Sequence, residues 1–393
     1  MFPYQFGSPK MKLAIVGYGL VRGPESELEI LAANNDLTII GYNKKGKMHQ
    51  SGIHSAFGST FAFPSLKPAF LVDPVSALRA DFECSSWVYF KGLEKILSNV
   101  DVVITHELWP FFSAQTVKIA KRLGIPSVVI VYETIPKNFV FTYLPPYSQN
   151  TKIVSANADL FIAQTNKAMS YVKSCGVSEK KINVVNPGIN LDLFRPPSEK
   201  GARKELRILF VGNFLQKGLE ALLKAFKNIA NEYPNIALWI VGNGPNTVLD
   251  QVTSMQQRYS IKYLGNVQHH DLSEIYRQVD IYCQPSRDVR RFGIKTGEEQ
   301  FGYALVEALA SGLPIVTTDC GAINEVVGNE NIVVKQQDIQ ALENGLRLLV
   351  CNTDLRKRIG NSNRRRAEQF FDGQKQALSL LKHVNSLANS FKV

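Results

Sequence analysis

Two glutamates, Glu299 and Glu307, stand with seven residues between them in the stretch EQFGYALVEALASG. The apolar run that follows Gly302 predicts a helix that begins near Phe301 or Gly302, which leaves Glu299 in the preceding loop. A capping box between Thr296 and Glu299 is the competing interpretation, in which both residues only start the helix.

A helix that begins near Gly302 could bind a charged ligand. Its first amides, near Phe301, Gly302 and Tyr303, have no partner inside the helix and would face a phosphate. Glu307 lies about a turn and a half along the helix. A phosphate at the helix start, with hydroxyl groups at Glu307 and at Glu299, describes a nucleotide-sugar.

A lysine stands before a second predicted helix, in VGNFLQKGLEALLKAF. This stretch is typical of a strand, a loop and a helix, with Lys217 at the end of the loop. An ammonium there could meet a diphosphate held at the helix start. A solvated lysine is the simpler alternative.

His106 and Glu107 follow a predicted buried strand in THELW. Ligands of open parallel sheets bind beyond the carboxyl ends of the strands, so His106 is a candidate functional residue. A strand-end histidine that is satisfied by the backbone is the alternative.

The glycine-rich stretch GYGLVRG, residues 17–23, follows the first predicted strand. It fits either a tight turn or a loop that approaches a ligand. Arg22 stands where a dinucleotide fingerprint needs its third glycine, and Asn43 ends the second strand where an acidic residue is expected. The sequence therefore disfavours a nicotinamide cofactor.

Short apolar runs alternate with helical patterns along most of the chain, which predicts two doubly wound α/β domains that face a central cleft. The predicted strands are Lys12–Val16, Leu37–Tyr42, Asp101–Thr105, Ser127–Val131, Leu160–Ala163, Arg207–Val211, Ala237–Val241 and Pro314–Thr317. A stretch rich in proline and charge separates the two series. The predicted organisation is a first domain at 1–190, a linker at 191–205, a second domain at 206–370, and a C-terminal helix at 371–393 that packs back on the first domain.

Composition narrows the class of protein. The 393 residues contain five scattered cysteines without C-x-x-C spacing, which favours a reducing compartment over a disulfide framework or a zinc site. No signal peptide or membrane span is recognised, so we expect a cytoplasmic protein. The net charge is +11, but no nucleic-acid motif accompanies it. The basic run Arg364–Arg366 predicts a solvated helix face.

Several motifs together resemble the family-4 retaining glycosyltransferases of the GT-B fold. They are NPGINLDLFRP, IVGNGP, YLGNV, PS and EQFGYALVEALASGLPIVTTDCGAINEVV. HELWPF and YETIP resemble a subgroup of that family. The resemblance extends from Met11 over nearly the whole chain and is most specific in the second domain.

The resemblance implies a transferase that uses a UDP-sugar or GDP-sugar donor, with no other cofactor and no metal ion. In this interpretation Glu307 binds ribose hydroxyls, Glu299 binds the transferred sugar, and Lys217 neutralises the diphosphate together with the amides of residues 301–303. The backbone near Val267 would read the base.

The same resemblance places Gly19 on the phosphate side and His106 beside the transferred sugar, with the acceptor bound by the first domain. Catalysis would then rest on His106, Glu299 and Lys217.

One position departs from the family pattern. After Gly212 the family carries an arginine, whereas this chain has Asn213 and a short loop to Lys217. We expect one of four nearby basic residues to replace the missing charge: Arg287, Arg290, Arg291 or Lys295. The same departure supports an alternative function, a non-catalytic nucleotide-sugar-binding protein. A nicotinamide-dependent enzyme is the third alternative.

The acceptor is expected to be a glycan or a lipid-linked molecule. Residues 1–190 carry 19 Lys and Arg against 13 Asp and Glu, and the apolar-aromatic stretch NFVFTYLPPY spans Asn138–Tyr147. These features predict contact between the first domain and the inner face of a membrane. A loop packed over the acceptor site is the competing interpretation.

Overall fold

A computed structural model describes residues 10–18, 25–41, 53–55, 60–61, 89–198 and 204–391. The chain divides into two compact units. The first comprises residues 1–186 and 374–393, and the second comprises 187–373. The predicted boundaries at 190 and 370 lie close to these divisions, whereas the predicted boundary at 206 lies inside the second unit.

Nine strands of the first unit lie within the described residues. They are β1 Lys12–Tyr18, β2 Asp36–Gly41, β3 Ile53–Ser55, β4 Thr60–Phe61, β5 Tyr89–Phe90, β6 Val102–His106, β7 Ser127–Val131, β8 Leu160–Ala163 and β9 Ile182–Val184. Seven form a sheet in the order β3-β2-β1-β6-β7-β8-β9, in which every adjacent pair is parallel. Strands β4 and β5 pair separately and antiparallel.

Helices cover the faces of this first sheet. They are α1 Glu25–Asn34, α2 Leu93–Leu97, α3 Phe111–Leu123, α4 Phe139–Tyr143, α5 Tyr147–Asn157 and α6 Asn166–Ser174, and a short 3-10 turn follows at Glu179–Lys181. The central strands β6 and β7 are buried at every residue. Burial on both faces explains why they read as continuous apolar runs instead of alternating patterns.

The second unit repeats this architecture. Its strands are β10 Leu206–Val211, β11 Ile236–Val241, β12 Ile261–Tyr263, β13 Ile281–Gln284, β14 Val289–Arg291, β15 Ile294–Gly297, β16 Ile315–Thr318 and β17 Ile332–Val334. Six of them form a parallel sheet in the order β12-β11-β10-β13-β16-β17. Strands β14 and β15 form an antiparallel hairpin that leaves the sheet after β13.

Seven described helices accompany the second sheet. They are α7 Leu219–Glu232, α8 Asn246–Gln256, α9 His269–Arg277, α10 Tyr303–Ala310, α11 Ile323–Val327, α12 Ile339–Cys351 and α13 Thr353–Phe370. Two apolar clusters fill the two faces of this sheet. The predicted fold class, two doubly wound parallel-sheet units, is therefore confirmed.

The last helix, α14 at Gly373–Ser390, packs on the first sheet. Leu380, Leu381 and Val384 share an apolar cluster with Leu13 and Ile15 of β1. The chain thus crosses between the units twice, once near residue 186 and again near residue 373.

Two sequence expectations are wrong in detail. The run Arg364–Arg366 is not simply a solvated face, because Arg364 donates to the carbonyl oxygens of Phe194 and Ala310, each at 2.9 Å. Arg366 likewise donates to Val326 O at 2.8 Å. Guanidinium groups can satisfy carbonyls that no amide reaches, so these two arginines tie the long helix α13 to its own unit.

The segment 191–198, predicted as linker, lies within the second unit. Phe194 is completely buried and contacts the ring of Tyr276 edge to face at 5.7 Å. Across the part of the chain that the structure describes, no helix is both long and apolar enough to cross a bilayer.

Candidate functional site

The carboxylate of Glu299 is the centre of the polar cluster in the second unit. Its Oε2 atom accepts from Lys217 Nζ at 2.5 Å, from Gln284 Nε2 at 3.1 Å and from Ser286 Oγ at 3.1 Å. Glu299 is buried. A buried carboxylate needs such partners, because an uncompensated charge in the interior is strongly destabilising.

The loop before α7 sets the position of Lys217. Asn213 Oδ1 accepts from the backbone N–H groups of Leu215 and Gln216, each at 3.1 Å, and Asn213 O accepts from Lys217 N at 3.0 Å. Asn213 therefore shapes the short loop in the way that asparagine shapes turns. Its side chain serves the loop, and the position supplies no positive charge.

Gly218 lets this loop approach the neighbouring strand end. Its φ is 79°, and a Cβ atom there would stand 2.0 Å from Pro285 O. Only glycine fits both the left-handed backbone and the close approach. The loop of Lys217 is thereby held against the segment that follows β13, where Gln284 and Ser286 reach Glu299.

The four basic residues proposed to compensate for Asn213 differ in their surroundings. Lys295 pairs with Asp288 at 3.2 Å and with Glu298, and Arg290 approaches Asp288 at 3.6 Å. Arg287 instead lies along the Lys217 loop, because its Nε donates to Leu215 O at 2.9 Å.

The guanidinium of Arg287 lies 3.9 Å from the carboxylate of Glu220. The side chain of Arg291 lies half-buried in the hairpin strand β14. Arg287 thus contacts the loop that carries Lys217.

The helix α10 begins at Tyr303 with Gly302 as its N-cap, as the sequence predicts. Gly302 has a φ of 86°, and no side chain caps this helix start. Glu299 stays nearby, since a Cβ atom on Gly302 would lie 3.5 Å from the Glu299 carboxyl carbon. Thr296 belongs to the strand β15, so the capping-box interpretation is wrong.

Phe301 lies two residues before the start of α10. Its side chain is buried in the core and packs edge to face against Tyr303 at 5.2 Å and Phe371 at 5.6 Å. This packing against the core holds the segment from Glu299 to Tyr303 in place. The amides at the start of α10 are consequently held in one orientation, which is what a phosphate site requires.

Glu307 is buried within α10 and has two polar partners from α9. Tyr276 OH donates to its Oε2 at 3.1 Å, and His269 Nε2 lies 2.8 Å from its Oε1. The imidazole of His269 is 62% exposed, so this end of Glu307 lies next to solvent. Burial, followed by the charge of Glu307, raises the pKa of Tyr276 well above its usual value, which keeps the hydroxyl protonated as a donor.

Two tyrosines connect the surroundings of the two glutamates. The rings of Tyr276 and Tyr282 lie 5.8 Å apart, and Tyr282 OH donates to Gln284 Oε1 at 2.6 Å. Burial, then the charges of Glu307 and Glu299, raises the pKa of Tyr282 well above the ordinary value. A row of buried contacts, of which the one between the two tyrosine rings is aromatic, therefore links Glu307 to Glu299.

The predicted base-reading residue lies at the same edge of the sheet. Val267 is half-buried against the core cluster that contains Tyr276, and it stands two residues before His269. Gly212 ends the neighbouring strand β10, with Lys217 beside it: a Cβ atom on Gly212 would lie 2.8 Å from Lys217 Cγ. All predicted donor-site residues of the second unit thus gather at the carboxyl edge of its sheet.

His106 lies in the first unit at the end of β6. Its imidazole is 6% exposed, stacks on the ring of Tyr132 at 6.0 Å, and has Nδ1 3.3 Å from Tyr132 OH. Burial lowers the pKa of His106 to about 4, so the side chain is neutral at pH 7. A neutral imidazole carries one N–H donor and one acceptor nitrogen, and it adds no charge to the site.

The loops around His106 are held by carboxylates. Glu107 has a φ of 61°, and its Oε1 accepts from the backbone N–H groups of Tyr132 and Glu133 at 2.8 and 2.9 Å. Glu133 Oε1 accepts in turn from Thr134 N and Ile135 N. The strand ends of β6 and β7 are thereby joined into one rigid edge.

The aromatic stretch Asn138–Tyr147 divides between core and surface. Phe141 stacks on Trp109 with ring centroids 4.4 Å apart, and Tyr147 packs edge to face against both rings. Phe139 and Tyr143, which are 44% and 56% exposed, form a surface pair on α4. The stretch is therefore packed in part and exposed in part, and its contact with a membrane stays a prediction.

Sequence reasoning found some functional candidates and missed others. Gly19 lies outside the described residues. Gln284 and Ser286 were missed as partners of Glu299, although polar residues directly after a buried strand are a recognisable signal. His269 and Tyr276 could not be found from sequence, since nothing local relates them to Glu307. Among the described residues, no three His, Cys, Asp or Glu side chains come together as a metal site.

Two family models match the chain. The model described as glycosyl transferases group 1 matches residues 195–366, and the model described as glycosyltransferase family 4 matches residues 54–193. The phosphatidyl-myo-inositol mannosyltransferase of Mycobacterium tuberculosis strain H37Rv is 29% identical over 218 residues, which is 52% of this chain and 53% of that protein. The chain thus spans about half the length of the curated relatives it matches.

Solved structures share the fold over most of the chain. HepE of Anabaena, in complex with UDP and glucose, superposes with a TM-score of 0.69 and 15% identity over 96% of this chain and 100% of that one. Sucrose-phosphate synthase of Thermosynechococcus elongatus gives a TM-score of 0.71 at 16% identity over 97% and 100% of the two chains. At such identities the likeness concerns the fold alone.

Proposed function

Because the chain belongs to the family-4 glycosyltransferases of the GT-B fold, we propose that it transfers a sugar from a nucleotide-diphosphate sugar to an acceptor. The transfer retains the anomeric configuration and needs no metal ion. The observation that carries this proposal is the cluster in which Lys217, Glu299 and the start of α10 meet.

The positive side of the cluster suits a leaving diphosphate. Lys217 supplies an ammonium group, and the uncapped start of α10 supplies oriented amides at a positive helix end. Arg287, which lies along the Lys217 loop, provides the second cation in place of the arginine that Asn213 replaces. Fixed donors aimed at developing negative charge are usually the largest single contribution to such catalysis.

The negative side of the cluster suits sugar hydroxyls. Glu307 lies against solvent at His269 and would accept from the two ribose hydroxyls, while Glu299 would accept from hydroxyls of the transferred sugar. In the reaction, the bond from the anomeric carbon to the diphosphate breaks and a bond to the acceptor oxygen forms. The acceptor proton passes to the leaving phosphate.

The first unit would bind the acceptor. His106 is neutral at pH 7, so it can hydrogen-bond to a hydroxyl group of an acceptor bound by the first unit. A lipid-linked acceptor at the inner face of a cytoplasmic membrane is supported by the name of the mycobacterial relative and by the exposed pair Phe139 and Tyr143. A glycan acceptor fits the same site.

A ligand screen tests the donor. The wild-type protein is mixed with UDP, GDP, UDP-sugars and GDP-sugars, and its melting temperature is recorded, since a ligand that binds only the folded state raises it. The control is Glu307→Gln, which keeps the shape of the site and removes its charge. The proposal expects a rise for one nucleotide class in the wild type and a smaller rise in the variant. If no nucleotide raises the melting temperature, the proposal is wrong.

A non-catalytic nucleotide-sugar-binding protein is the competing proposal. It is favoured by Asn213 and by the direct pairing of Lys217 with Glu299 at 2.5 Å. Release of the nucleoside diphosphate from the donor found in the screen distinguishes the two. Turnover that Lys217→Ala abolishes supports the enzyme, whereas binding without turnover supports the alternative.

A further inference from the structure

The hairpin of β14 and β15 ends in an exposed apolar tip. Phe292 is 94% exposed and Ile294 is 41% exposed, and they stand next to the exposed side chain of Arg290. We call residues Arg290–Ile294 the hairpin tip. Exposed large apolar side chains that stand together at one place usually mark a contact surface.

The backbone of the hairpin tip makes its exposed phenylalanine more notable. Phe292 has a φ of 49° and is followed by Gly293 with a φ of 79°. A bulky side chain rarely occupies the left-handed region, where asparagine or glycine would suit the turn better. An aromatic residue therefore does not stabilise the turn, and a side chain that is exposed to solvent does not stabilise the core.

The charges around the hairpin point the same way. Asp288, at the base, is held inward by Lys295 at 3.2 Å and by Gln336, whose Oε1 accepts from Asp288 N at 2.7 Å. Glu298 is buried beside Lys295. The acidic groups of the segment are thus paired with its cations, and Arg290, which also approaches Asp288 at 3.6 Å, keeps a side chain that is 60% exposed.

The basic and apolar character continues along the Lys217 loop. Leu215 is exposed, and its carbonyl oxygen accepts from Arg287 Nε at 2.9 Å. The surface formed by the hairpin tip with Leu215 and Arg287 therefore combines apolar side chains with cations. Two carboxylates also lie close to this surface: Asp288 is 3.6 Å from Arg290, and Glu220 is 3.9 Å from Arg287.

We propose that the hairpin tip inserts into an anionic lipid surface. An almost fully exposed side chain cannot form a pocket for a soluble ligand. An apolar tip with cations beside it instead suits a membrane interface, where apolar acyl chains lie beneath anionic headgroups. Glu299 follows β15 by two residues, so the second unit would meet the surface at the same sheet edge that carries Glu299. This inference does not rest on the proposed function.

Vesicle cosedimentation tests the inference. The full-length chain is mixed with vesicles of phosphatidylcholine alone or of phosphatidylcholine with phosphatidylglycerol, at low and at high salt. Binding is expected only with phosphatidylglycerol and should weaken with salt. Each basic residue near an anionic surface contributes about fivefold to partitioning. The double variant Arg290→Gln with Arg291→Gln should therefore bind about thirtyfold more weakly.

Matched control variants distinguish binding by the hairpin tip from the general effect of removing a charged or an apolar side chain. Phe292→Ser should lower partitioning about tenfold, since it removes the apolar side chain that enters the interface. Leu348→Ser, at an exposed leucine on α12, is the apolar control and should change nothing. The double variant Lys224→Gln with Lys227→Gln removes the same amount of charge from α7. It should weaken vesicle binding much less than the double arginine variant does.

A spectroscopic variant keeps the test independent of folding defects. Phe292→Trp preserves an aromatic tip, and its emission should shift to the blue when anionic vesicles are added. The inference is overturned if this emission does not move, or if the protein stays in the supernatant at low salt. It is also overturned if Phe292→Ser binds like the wild type while Phe139→Ser with Tyr143→Ser abolishes binding, because the contact then belongs to the first unit.

Discussion

Acidification should destabilise the first unit through His106. Its imidazole is 6% exposed, and burial lowers its pKa from 6.5 to about 4. In the unfolded chain the same group titrates near 6.5. Between these two values the unfolded state binds a proton that the folded state excludes, so stability falls as the pH falls through this window.

The magnitude follows from the two pKa values. The stabilising contribution is fully present above pH 6.5 and is lost progressively until the pH reaches about 4. A step from pH 7 to pH 4.5 crosses most of that window and should remove about 2 kcal/mol of unfolding free energy through this one residue. The variant His106→Gln lacks the titrating group and should not show this part of the loss.

Urea denaturation at the two pH values measures the effect. Unfolding of the first unit is followed by the fluorescence of Trp109, which lies in its core. The loss between pH 7 and pH 4.5 is compared between the wild type and His106→Gln, so that other titrating groups cancel. His383→Gln is the control, because His383 is only half-buried and its pKa is lowered by burial and by the charge of Lys382. Equal losses in the wild type and His106→Gln would refute a buried, neutral His106.

Three further predictions concern the second unit. Lys217→Ala should lower turnover by about two orders of magnitude, measured as nucleoside diphosphate release, and near-normal turnover would show that Arg287 is the essential cation. Glu307→Gln should weaken nucleotide binding about tenfold to a hundredfold in calorimetry, because a charged acceptor of two hydroxyls is lost, and unchanged affinity contradicts that role. Gly218→Ala should lower the free energy of unfolding, measured by thermal unfolding, by about 3 kcal/mol, since its Cβ would meet a carbonyl oxygen at 2.0 Å. Gly265→Ala, where no atom lies within 4 Å, should lower it by about 1 kcal/mol. Equal losses in the two variants would refute the close approach.

The local sequence pattern was sufficient to predict many of the helices and strands and one part of the candidate site. The runs SVVIV and LFIA give β7 and β8 with the predicted bounds, because strands buried on both faces need continuous apolar residues. The glycine at 302 and the apolar run after it gave the start of α10 to within two residues. The spacing of Glu299 and Glu307 then placed one glutamate before the helix and the other within it.

Tertiary structure alone decided which side chains surround those glutamates. His269 and Tyr276 reach Glu307 from α9, and Gln284 reaches Glu299 from β13, across separations at which no periodicity relates the residues. The same holds for Arg364, whose guanidinium binds carbonyl groups brought near it by packing. A sequence fixes periodicity and turn chemistry over a few residues, whereas these contacts depend on how strands pair and helices dock, which only the folded chain determines.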